Sequence, residues 1–172
     1  MKFSPQILFF LFAVSFIIIC CKKPVSYPET PSIKFETFEI RDSVDLLGNN
    51  LKYGMLKFSF IDGNGDIGLN PSDTFAPYDS SSIYSNNLFI ELYEYKNGSF
   101  EIVDLEIPLY YRIKPRFESI GQNKVLKGFI LTKMEYSDYF LSLFDTIKYN
   151  FYIYDRALNK SNTGETGIIY LH

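Results

Sequence analysis

The chain has 172 residues and a net charge of −3, with one histidine, two cysteines and no tryptophan. Mild acidity argues against nucleic acid as a partner, which needs a basic footprint. The sole histidine is the last residue, His172, and both cysteines stand in one doublet, Cys20-Cys21, so Ser/His/Asp, Cys/His and histidine-zinc chemistry lack their parts.

Met1 to Pro5 carry a single positive side chain, Lys2, and Ile7 to Ile19 form an apolar stretch broken only by Ser15. This is the layout of a secretory signal peptide. The stretch is short against the roughly 20 apolar residues of a spanning helix, although an uncleaved signal anchor stopped by Lys22 and Lys23 is the alternative. Ile18-Ile19-Cys20-Cys21 resembles the lipobox of bacterial lipoproteins, with an aliphatic residue three before a Cys and a small one just before it. That resemblance implies residues 1–20 as a lipoprotein signal peptide and Cys21 as the lipidated N-terminus of the mature protein. A diacylglyceryl thioether plus an N-acyl chain supplies the two or more chains that stable anchoring requires. The expected location is the bacterial cell envelope, most simply the outer membrane, with the membrane engaged through the lipid. Loss of the leader removes Lys2 and no acid, which moves the charge from −3 to −4. The remaining chain has no disulfide and must be held by its core.

Residues 21–32 contain Pro24, Pro28 and Pro31 and read as an extended tether. From residue 33 the pattern becomes that of strands. Ile33, Phe35 and Thr37 alternate with Lys34, Glu36 and Phe38, and Leu56, Phe58 and Phe60 alternate with Lys57, Ser59 and Ile61. Leu88, Ile90 and Leu92 alternate with Phe89, Glu91 and Tyr93, after which Asn97-Gly98 predicts a type I′ hairpin turn into Phe100–Val103. Strands are expected near 33–41, 54–61, 87–95, 99–105, 124–135, 147–155 and 166–171, with a weaker one over 109–113. Ser137 can cap a single helical turn reaching Phe144. Short strands between turn clusters, with 18% aromatic residues, point to an all-β antiparallel sandwich over residues 33–172.

The C-terminal third gives this sandwich a more specific form. Leu143, then Tyr149 opening the run to Asp155, resembles the corner and penultimate strand of immunoglobulin-like and fibronectin-III-like domains, where such a Tyr bonds back to the corner backbone. Asp155 to Asn162 resembles a turn of bacterial Ig-like domains, with Leu158 where such turns usually have Gly.

One segment has the spacing of a metal site. Asp62, Asn64 and Asp66 place side-chain oxygens at every second position of a glycine-rich loop, and calcium takes six to eight such hard ligands. Counted as an EF-hand loop from Asp62, position nine is Asn70 and position twelve is Asp73. Ile67 at position six and the strand before the loop rule out an EF-hand itself. Two readings stay open: a structural Ca2+ site with Asp62, Asn64, Asp66 and Asp73, or a turn in which these side chains bond their own backbone. The run Asp62-Gly63-Asn64-Gly65-Asp66-Ile67-Gly68 behind a lipobox resembles a group of uncharacterised lipoproteins common in Bacteroidota. The resemblance implies location and a shared loop, not an activity. Lys22, Lys23 and Pro24 stand where surface-displayed lipoproteins often carry acids, so both the periplasmic and the surface face stay open.

Tyr149, Phe151 and Ile153 are expected in the core, which puts Tyr152 and Tyr154 on the opposite face, and Tyr93 and Tyr95 alternate with Leu92 and Glu94 in the same way. Exposed tyrosines of this kind form contact surfaces for glycan or protein, whereas strands also favour Tyr with no partner in view. The expectation is a lipid-anchored binding or structural accessory protein without catalysis, meeting an envelope protein or glycan. The alternative is an envelope hydrolase using a glycosidase-like carboxylate pair.

Overall fold

The computed structural model describes residues 26–44, 46–115 and 124–171. The stretch expected to be a leader, Cys20, Cys21 and His172 lie outside these residues. Among the described residues no helix is long and apolar enough to cross a membrane.

The elements in chain order are β1 (Ser32–Val44), β2 (Asn50–Asp62), a 3-10 turn (Ile83–Ser85), β3 (Leu88–Lys96), β4 (Ser99–Ile102), β5 (Leu109–Tyr111), β6 (Leu126–Tyr136), α1 (Asp138–Leu143), β7 (Thr146–Ile153), β8 (Gly164–Glu165) and β9 (Ile169–Tyr170). They form two antiparallel sheets. One has the order β1-β2-β6; the other runs β4-β3-β7-β8, with β5 pairing β3 and β9 pairing β7. Their apolar faces meet: Phe58 of β2 and Phe151 of β7, both fully buried, have ring centroids 5.0 Å apart. Period-two patterning fixes this arrangement, since Leu56 and Phe58 on one sheet and Leu88, Ile90, Leu92, Ile147, Tyr149, Phe151 and Ile153 on the other are all removed from water. Asn97 and Gly98, with φ of 52° and 90°, make the expected tight turn between β3 and β4.

Four expectations are modified. The alternation in β1 breaks between Phe35 and Thr37, where Glu36 is an extra residue opposite Phe58 and Lys57. Beyond this bulge Phe38 and Ile40 turn toward the core and Thr37 faces water, the reverse of simple alternation. Of the strand expected over 166–171 only β9 forms, and β8 lies just before that range, because Thr166 interrupts the ladder between them. Its hydroxyl accepts from the Tyr149 N–H at 2.9 Å, and its own N–H donates to the Tyr149 carbonyl at 2.9 Å. The strand expected over 99–105 stops at Ile102. Tyr149, expected to bond corner backbone, instead shares a buried hydroxyl–hydroxyl hydrogen bond of 3.1 Å with Tyr136. Ser137 caps α1 as expected, its hydroxyl accepting from the Phe140 N–H.

Candidate metal centre and aromatic face

The glycine loop leaves β2 at one end of the sandwich and passes beside the turn that follows β7. Gly65 holds φ of +70°, and a Cβ there would overlap the Lys124 carbonyl, so only glycine fits this close approach. The bend folds the chain onto itself: the Asp66 N–H donates to Asp62 Oδ2 at 2.9 Å. The Arg156 N–H reaches the Asp66 carbonyl at 3.3 Å, which ties the loop to the turn after β7. In that turn Leu158 has φ of +63°, the left-handed backbone ordinarily given to glycine.

Asp62, Asp66 and Asp155 converge here, each offering a carboxylate oxygen within 4.8 Å of the others. Asp62 and Asp155 are almost wholly buried. Burial, together with the charges of Asp155 and Asp62, raises the Asp66 carboxyl to about 6; burial raises Asp62 as well. Asp62 Oδ1, Asn64 Oδ1 and Asp66 Oδ1 are all buried and have no hydrogen-bond partner. Asp155 is held from behind by Asn159, whose backbone N–H donates to Oδ1 at 2.7 Å and whose side-chain amide donates to Oδ2 at 2.8 Å.

Of the four metal-ligand candidates, the structure brings Asp62, Asn64 and Asp66 into one loop and places Asp73 elsewhere. Asp73 pairs bidentately with Arg156 at 2.7 and 3.0 Å, and this partner holds its carboxyl below the usual range. Its place is taken by Asp155, which sequence spacing did not connect with the loop because it stands ninety-odd residues away in the chain, roughly, and meets it only through the pairing of the sheets. The available signal was an acid followed by Asn159 at the end of a predicted strand. Arg112 was also missed. It donates to the carbonyls of Ser85, Asn70 and Asp73 at 2.6 to 2.9 Å and so organises the long connection from β2 to β3.

The second candidate is the outer face of the larger sheet. The register pairs Phe89 with Tyr152 and Tyr93 with Lys148, so Tyr152, Tyr154, Tyr93 and Tyr95 all emerge on one side. Phe89 stacks on Tyr152 at 5.4 Å, and Tyr154 meets Phe89, Tyr152 and Tyr84 edge-on. Farther along, Tyr95 packs on Phe100 and is half exposed, and Lys148 lies over the Phe100 and Tyr93 rings.

No protein-family model, curated protein or solved structure matches this chain. The fold defines an all-β protein of two packed antiparallel sheets.

Proposed function

We propose that this is a lipid-anchored accessory protein of the bacterial cell envelope, tethered through Cys21, whose sandwich binds an envelope protein or glycan and carries out no catalysis. We read the domain as fibronectin-III-like: the orders β1-β2-β6 and β4-β3-β7-β8 support this, being those of strands A-B-E and C′-C-F-G. The observation that carries the binding role is the gathering of Tyr93, Tyr95, Tyr152 and Tyr154 on one outer face, with Phe100 and Tyr110 beside them. Such side chains offer large amphipathic contact area with few rotatable bonds. A glycosidase needs two carboxylates open to the sugar, and burial of Asp62 and Asp155 makes the loop cluster a poor candidate for that role.

The test places a photo-crosslinking side chain at Tyr95 in cells and, as a control, at Thr37 on the outer face of the other sheet. A discrete adduct at Tyr95 and none at Thr37 is expected. Equal adducts at both, or none at either, would refute the aromatic face as the binding surface.

A further inference from the structure

We propose that Asp62, Asn64, Asp66 and Asp155 form a calcium site that ties the end of β2 to the exit of β7, and so joins the two sheets at one pole of the sandwich. Asp62 is fully buried with its Oδ1 unpartnered, while its Oδ2 is committed to the Asp66 N–H. Asn64 Oδ1 and Asp66 Oδ1 are buried and unpartnered as well, so three oxygens at positions i, i+2 and i+4 want a donor or a cation. No Lys or Arg among the described residues forms an ion pair with Asp62, Asp66 or Asp155. The adjacent cation, Arg156, is turned away onto Asp73.

The donor set selects the ion. All four side chains offer hard oxygen, which suits calcium or magnesium rather than a soft metal. Oxygens bound to one calcium at 2.3 to 2.6 Å are at most about 5 Å apart, whereas magnesium at 2.0 to 2.1 Å allows only about 4 Å. The carboxylate oxygens of Asp62, Asp66 and Asp155 lie within 4.8 Å of one another, inside the span that calcium allows, and calcium accepts the irregular geometry of a glycine loop where magnesium demands a near-ideal octahedron. Asn159 supplies the outer-shell support that a ligating carboxylate usually has, fixing Asp155 through both oxygens while each keeps a free lone pair. Four side-chain ligands leave room for backbone carbonyls or water to complete six to eight.

The experiment is calorimetric titration of the full chain, purified in non-ionic detergent and stripped with chelator, with calcium chloride and separately with magnesium chloride. One equivalent of calcium should bind, with magnesium at least tenfold weaker. With a Kd of about 10 µM, 1 mM calcium should raise the melting temperature by about 5 to 10 °C. Asp66→Asn and Asp155→Asn should each abolish saturable binding, while Asp73→Asn should retain it within about threefold. Asp155 also holds its own turn, so if Asp155→Asn fails to fold, Asn64→Ala decides, with a tenfold or greater loss expected. Coincident melts with and without calcium would overturn the site and leave a proton-sharing carboxylate cluster. Binding that survives Asp66→Asn would place the ion elsewhere, and loss on Asp73→Asn with retention on Asp155→Asn would restore the single-loop arrangement; either result overturns the proposal. Equal affinity for magnesium would overturn the assignment to calcium.

Discussion

Replacing Phe151 by Ala should strike the sandwich at its centre. The ring is fully buried, packs on Phe58 across the sheets at 5.0 Å, and fills the space beside Gly164 that a Cβ there would have to share. Removing such a ring costs about 3 to 5 kcal/mol, because the transfer free energy is lost and the two sheets cannot close fully on the cavity. Against a total stability of about 5 to 15 kcal/mol this is a large fraction. Its neighbour Tyr152 points the other way and lies half-buried against Phe89, Tyr154 and the Lys160 ammonium, so Tyr152→Ala should cost only about 1 to 2 kcal/mol, the worth of these partly exposed ring contacts. Urea unfolding of a form covering residues 22–172, followed by circular dichroism, separates the two. With a slope near 2 kcal/mol per molar, Phe151→Ala should lower the midpoint by about 2 M and Tyr152→Ala by about 0.5 to 1 M. Equal losses, or the reverse order, would show that the wrong face of β7 has been placed inside.

Three other outcomes are expected. Tyr149→Phe should cost about 1 to 2 kcal/mol in the same assay, since it strands the buried Tyr136 hydroxyl; the double change with Tyr136→Phe should recover much of that, and no recovery would refute the pairing. In chelator, the urea midpoint should fall as pH rises from 5 to 7. Asp66 is raised to about 6 in the folded state by burial and then by Asp155 and Asp62, so the stability it lends is complete below the unfolded pKa and is lost as pH passes the folded one. Asp66→Asn should flatten that slope, and a midpoint rising over this range in the wild type would contradict the assignment. Arg112→Ala should expose the connection from residue 70 to residue 85 to protease while leaving β2 and β3 intact; an unchanged cleavage pattern would refute its organising role.

Local signals were legible where the chain speaks to its near neighbours. Leu56, Phe58 and Phe60 marked the inner face of β2, Asn97-Gly98 marked the turn, and Ser137 marked the start of α1. What failed to show were long-range substitutions. The bulge at Glu36 flips the remainder of β1, and nothing in its own sequence announces an unpaired residue. Thr166 replaces a backbone partner with a hydroxyl, which interrupts the ladder between β8 and β9. The loop candidates Asp62, Asn64 and Asp66 stood close enough in sequence to be read together, but Asp73 was chosen by counting along the chain. Its charge is spent on Arg156, and Asp155 arrives through the fold.

We propose that lipid on Cys21 holds this sandwich at a bacterial membrane. Metabolic labelling with radioactive palmitate, followed by fractionation, tests it most directly. The wild type and Cys20→Ser should both take up label and sediment with the outer membrane, whereas Cys21→Ser should take up none and accumulate as unprocessed precursor. Equal labelling of Cys21→Ser and Cys20→Ser, or an unlabelled wild type in the soluble fraction, would contradict it.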